Sequence, residues 1–103
     1  MIKTIKNSYY SNYGKFEQMI AEKGATIDIE NGIVFARNGS MVNAYNGSTV
    51  KAHNGSTVNA YNGSLVIAYE GSTVNGYYGS TIYAYEGSKV IGFYKATIKE
   101  ERQ

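Results

Sequence analysis

Serine recurs every eight residues in this 103-residue chain, at Ser40, Ser48, Ser56, Ser64, Ser72, Ser80 and Ser88. A serine hydroxyl becomes a nucleophile only beside a base that takes its proton. The single histidine, His53, leaves the row without one. Glu70 and Glu86 are the nearest thing to a carboxylate pair, but both open an octad at a turn, about one coil apart, and read as solvated. With no Cys there is no disulfide and no thiolate metal site, and one imidazole makes no zinc cluster. The glycines just before the serines lack the strand-to-helix setting of a phosphate loop. No enzymatic activity, and no catalytic, cofactor or metal residue, is expected.

Bulk properties exclude further classes. At 11.3 kDa the chain makes one small domain. Ten Lys and Arg against eight Asp and Glu give a net charge of only +2. From Asn38 to Phe93, Lys51 and Lys89 balance Glu70 and Glu86, so the basic stripe expected of a nucleic-acid binder is missing. No stretch is apolar enough to span a bilayer, and the first sixteen residues lack the apolar run of a secretory signal. The chain reads as soluble and cytoplasmic, with no membrane partner, and its NGS triplets read as turn chemistry rather than glycan acceptors.

Twelve Gly, eleven Tyr and no Pro point to the element that repeats. From Asn38 the chain runs NGSMVNAY, NGSTVKAH, NGSTVNAY, NGSLVIAY, EGSTVNGY, YGSTIYAY and EGSKVIGF. Degenerate copies flank these octads: KGATIDIE from Lys23, a seven-residue NGIVFAR from Asn31, and YKATIKEE from Tyr94. Within an octad the third, fifth and seventh positions are Ser, Val or Ile, and Ala or Gly, alternating with larger or polar residues. Period two marks a strand, and the opening Asn-Gly or Glu-Gly marks a turn. Burying the other face would put Lys51, Lys89 and several Asn inside, at several kcal/mol for each unpaired polar group. The narrow Ser/Val/Ala face is therefore the core.

A hairpin meander would mix small and large positions on each face, whereas a β-solenoid stacks like over like. The sixth position reads Asn43, Lys51, Asn59, Ile67, Asn75, Tyr83, Ile91, so Asn returns at every second octad and the true period is sixteen. The expected fold is an all-β, two-sheet solenoid of five sixteen-residue coils over residues 23–103, roughly 24 Å tall at about 4.8 Å per strand. Residues 1–22 are expected to cap it, with a short extended segment at Ile2 and Ile5. A helix is expected from about Asn12 to Lys23, with Phe16, Met19 and Ile20 on its apolar face and Gly24 as its stop. Charge on Lys99, Glu100, Glu101 and Arg102 protects the other end.

Outward residues then separate by sheet. One sheet shows Asn43, Asn59, Asn75 beside Tyr45, Tyr61, Tyr77. The other shows Leu65, Ile67, Tyr69, Tyr83 and Tyr85, with Tyr78 and Tyr94 at the adjoining turn, and is more apolar than solubility requires. Stacked aromatics support a parallel sheet at about 0.2–1 kcal/mol per contact. Beyond that role, a large exposed apolar patch marks an interaction site, and Tyr gives much contact area with few rotatable bonds. Those seven residues are the candidate site for a protein partner or a second copy in a two-fold homodimer.

The octads from 38 to 93 resemble the short G-x-S-x-V-x-A-x repeats of small β-helical proteins of bacteria and phages. That resemblance implies a fold and carries no assigned activity. Its implication for function is that of a small phage protein that occludes a host defence enzyme, as anti-CRISPR inhibitors do. Two other readings compete: a structural or assembly module, and an ice-binding protein. Flat β-helices with Thr rows resemble antifreeze proteins, but here Thr49, Leu65, Thr81, Thr97 is interrupted and Tyr columns spoil flatness.

Overall fold

The computed structural model describes residues 2–93 and 95–100. The strands alternate between two sheets. One holds β1 (Ile2–Ile5), β3 (Glu17–Ala21), β5 (Gly32–Ala36), β7 (Thr49–Ala52), β9 (Leu65–Ala68), β11 (Thr81–Ala84) and β13 (Thr97–Glu100), in that spatial order. The other holds β2 (Tyr9–Asn12), β4 (Thr26–Ile29), β6 (Met41–Ala44), β8 (Thr57–Ala60), β10 (Thr73–Gly76) and β12 (Lys89–Gly92). Every neighbouring pair is parallel, and from β5 onward in the first sheet and β6 onward in the second each residue faces the one sixteen places on. The fold is the expected all-β solenoid. Six intervals between seven strands at about 4.8 Å come to about 29 Å, which matches its longest extent of 30 Å.

Inward residues form one continuous column. Val34, Val50, Val66 and Ile82 on the first sheet, and Ile27, Val42, Val58 and Val74 on the second, are fully buried, with Ala36, Ala44, Ala52, Ala60 and Ala68 beside them. The turns work because Gly47, Gly55, Gly63 and Gly71 hold φ between 83 and 85°, a region that costs glycine nothing.

The N-terminal part departs from expectation. Residues 12–23 form no helix: β3 pairs with β1 on one side and β5 on the other, so the coils begin at Ile2. Among the described residues, the ten strands β4–β13 make the five coils expected of residues 23–103, and β1–β3 add a coil and a half before them. Phe16, Met19 and Ile20 fit a helical stripe, but Met19 and Ala21 also fit period two, and five residues are too few to separate the two. Parallel pairing on both sides decides for the strand. Met19 and Ala21 are buried, whereas Phe16 is exposed.

The short repeat is also framed differently. Asn31, not Gly32, takes the left-handed turn position, at φ 61°. Gly32 starts β5 facing Glu17 and fills the inward place that Ser holds elsewhere. A Cβ there would come within 2.6 Å of the Glu17 carbonyl oxygen and 2.7 Å of Ile29 Cδ1. The missing residue has thus been removed from the turn, leaving both strands in phase.

The two ends close by different means. At the first coil, Lys3 occupies a register position that is core farther along, opposite buried Met19, and Tyr10 does the same opposite Ile27. Lys3 Nζ donates to the Tyr10 hydroxyl at 2.9 Å, and that hydroxyl donates to Glu17 Oε1 at 2.8 Å. The bond to Tyr10 raises the Lys3 pKa above its ordinary value. At the other end Glu100 stands opposite the inward Ala84, and Ile98 is 39% exposed. These residues, with Val90 and Tyr85, line a cleft of about 630 Å³.

The inward serines are held by the backbone. Ser48, Ser56, Ser64, Ser72, Ser80 and Ser88 each donate Oγ–H to the carbonyl three residues back, at 2.5–2.7 Å. Ser40 Oγ is buried with no such partner. Removing a buried hydroxyl that lacks a bond relieves a desolvation cost, whereas removing a bonded one loses about 1 kcal/mol. Ser56→Ala is therefore expected to lower the urea unfolding free energy by about 1 kcal/mol, and Ser40→Ala to leave it unchanged or raise it.

Candidate binding face

The seven-stranded sheet presents three outward rows. The first runs Ile33, Thr49, Leu65, Thr81, Thr97, and the second runs Phe35, Lys51, Ile67, Tyr83, Lys99. Immediately after the strands come Arg37, His53, Tyr69 and Tyr85. Most of these side chains are half-buried by their neighbours in the stack. In the second row each lysine leans on the aromatic one coil earlier: Lys51 Nζ lies 5.5 Å from the Phe35 ring centre and Lys99 Nζ 5.7 Å from that of Tyr83. Such cation–π contacts are worth about 0.5–1 kcal/mol at exposed sites.

Of the residues expected at the site, Leu65, Ile67, Tyr69, Tyr83 and Tyr85 come together on β9, β11 and the positions just after them. Tyr78, 55% exposed, lies in the turn that leads into β11, on the Thr81 side. It therefore occupies the opposite rim from Tyr69 and Tyr85. Tyr94 lies outside the described residues. Ile33 and Phe35 were missed, although stepping back sixteen from Thr49 and Lys51 reaches them directly. The misframed short repeat hid that step.

The aromatic columns use their ring faces on one another. Tyr45, Tyr61, Tyr77 and Phe93 stack at 4.9–5.0 Å, nearly parallel. His53, Tyr69 and Tyr85 do the same at 5.0 and 5.2 Å. Rings so paired offer edges and hydroxyls rather than faces, which counts against stacking bases between them.

The six-stranded sheet carries a polar row, with Met41, Ile91 and Phe93 exposed toward its two ends. Asn75 Nδ2 donates to Asn59 Oδ1 at 3.0 Å, Asn59 Nδ2 to Asn43 Oδ1 at 3.0 Å, and Asn43 Nδ2 to Asp28 Oδ1 at 2.7 Å. All three amides point one way, so the chain of dipoles ends on a carboxylate, the strongest acceptor available. The Tyr9 hydroxyl donates to the other Asp28 oxygen. That bond pushes the Tyr9 phenol up to about 12.

His53 is the member of the aromatic columns whose ordinary pKa lies near neutrality. Burial, followed by the nearby Arg37 and Lys51 charges, lowers its pKa from 6.5. A histidine depressed in the folded state takes up its proton first when unfolded, so the associated stability is complete above pH 6.5 and is lost as pH falls through the lowered value. Urea unfolding free energy is therefore expected to fall as pH drops below 6.5 toward the lowered value. His53→Tyr should make that fall smaller, and an unchanged slope would remove His53 as its source.

No protein-family model, curated protein or solved structure matches this chain.

Proposed function

We propose that the chain is a non-enzymatic binding scaffold that engages a protein partner, or a second copy of itself, through the outer face of the seven-stranded sheet. The observation that carries this reading is the placement of Ile33, Phe35, Leu65, Ile67 and Tyr83 in two adjacent rows of one sheet, while the other sheet carries a hydrogen-bonded Asn row. Contiguous apolar patches on soluble proteins mark interaction sites, and tyrosine is enriched at their centres. The contacts of the serines and the histidine support this reading. Six serine hydroxyls are bonded to carbonyls, and the His53 ring is stacked on Tyr69. A sheet face of this kind acts by covering a partner's surface, which is how an occluding inhibitor of a host defence enzyme would work.

The test compares two variants in affinity capture from a bacterial lysate. Leu65→Ser, Ile67→Ser and Tyr83→Ser together alter the proposed face, and Thr57→Ala with Thr73→Ala alters the opposite one. A protein captured by the parent chain and the second variant but lost from the first supports the reading, provided both variants keep β-type circular dichroism. Equal capture by both variants overturns it.

A further inference from the structure

The order of residues along the second row carries information about the partner. Read up the stack it is Phe35, Lys51, Ile67, Tyr83, Lys99. Turned end for end it becomes Lys99, Tyr83, Ile67, Lys51, Phe35. Laid against itself in that way, Lys51 meets Tyr83, Phe35 meets Lys99 and Ile67 meets Ile67. Every cation faces an aromatic ring, and no cation faces a cation. The flanking rows agree: Leu65 meets Leu65, Thr49 meets Thr81, Tyr69 meets Tyr69 and His53 meets Tyr85.

We infer that this face binds a second copy of the chain about a two-fold axis that runs along β9, with Lys51 of each copy over Tyr83 of the other. The inference rests on the reading of this face as the binding surface. Isologous pairing requires a self-complementary patch, and the row supplies one. Two other arrangements of two copies are worse electrostatically, and an axis between β7 and β9 sets Lys51 on Ile67 rather than on a ring. A two-fold axis along the stack sets Lys51 on Lys51 and Lys99 on Lys99. An axis between β9 and β11 sets Lys51 on Lys99. Like charges so opposed in an interface cost several kcal/mol.

Size fixes how tight the pair should be. Five strands at about 4.8 Å and four residue steps at about 3.3 Å make a contact of about 24 by 13 Å. That falls in the small, weak class of interfaces, so association should appear only at high concentration. Desolvation on pairing would strengthen each cation–π contact.

Sedimentation equilibrium over a concentration series reaching roughly hundreds of micromolar tests this. The parent chain is expected to dimerise. Tyr83→Lys should weaken the dimer at least about ten-fold, because Lys51 of the other copy now meets a lysine. Adding Lys51→Tyr to Tyr83→Lys restores the pairing with the partners exchanged, so the double variant should recover most of the lost affinity. A double variant no better than Tyr83→Lys alone overturns the inference, as does an undiminished dimer in Tyr83→Lys.

Should Tyr83→Lys unfold, thiol cross-linking asks the same question without altering the row, since the chain has no Cys of its own. Leu65→Cys, on the axis, is expected to give a covalent dimer with a short bifunctional reagent. Thr57→Cys, on the opposite sheet, is not. Equal cross-linking of both, or of neither, overturns the inference. A parent chain that stays monomeric also overturns it but leaves the face open to a different protein, which the paired capture experiment judges separately.

Discussion

Val66→Asp is expected to cost about 3–5 kcal/mol and Val90→Asp less than about 1.5 kcal/mol, although both residues hold the fifth place of an octad. Val66 is fully buried in β9, with Val50 on one side and Ile82 on the other. A carboxylate there has no cation within the Ser/Val/Ala column and no path to water. Its cost is that of an uncompensated buried charge, a large part of the roughly 5–15 kcal/mol that holds a domain together. Val90 is half-buried and lines the cleft at the last coil. A carboxylate at that place reaches solvent. Repeat architectures gain stability from nearest-neighbour interfaces, so damage to a middle coil severs two of them and damage near an end disturbs fewer. Urea unfolding of the two variants checks this, and equal losses would mean that the last coil is as closed as the middle.

The second large effect concerns Gly76, which sits where Ala44 and Ala60 sit in the preceding coils. A Cβ on Gly76 would lie 2.3 Å from Ile82 Cδ1. Ile82 is itself one methyl larger than Val66, its counterpart one coil earlier. The glycine makes room for the isoleucine. Gly92 and Ile98 repeat the arrangement, with the corresponding approach at 2.4 Å. Gly76→Ala should therefore cost about 1–3 kcal/mol through overpacking, and Ile82→Val about 0.5–1.5 kcal/mol through a lost methyl. The double variant rebuilds the Ala60/Val66 pair of the coil before it. Its loss should fall below the sum of the single losses by at least about 1 kcal/mol. A double-mutant cycle in urea checks this, and strict additivity would show that the two side chains do not compete for the same space.

The Gly76 and Ile82 pair also shows which features can be read from the chain alone. The two faces and the sixteen-residue step were legible because the core is so narrow. Only Ser, Val, Ile, Ala and Gly fit inward, so alternation is nearly free of exceptions from Asn38 to Phe93. The first coils were not legible for the opposite reason. Lys3 and Tyr10 stand at core register positions, and Met19 fits both a helical stripe with Phe16 and Ile20 and a strand alternation with Ala21. In the candidate face, Leu65, Ile67 and Tyr83 followed from alternation. Ile33 and Phe35 required knowing that the residue lost near Asn31 came from the turn. The direction of the Asn row was invisible, because its sense is set by Asp28 and Tyr9 at one end.

The sixteen-residue register imposes a parity on how such a chain can change length. Because strands alternate between sheets, inserting one octad would move every later residue to the opposite side of the molecule. With the insertion between Asn59 and Ile67, Lys51 would keep its side while Ile67, Tyr83 and Lys99 joined Asn43 and Asn59 and Asn75 crossed to join Lys51, and neither face would survive. Inserting two octads leaves every later residue on its own sheet and raises the stack by about 4.8 Å. The loss of one residue near Asn31 is tolerated because it leaves the count of strands untouched. Length in this architecture is therefore heritable only in even steps, and a family of such chains would differ by whole coils while keeping its two faces distinct.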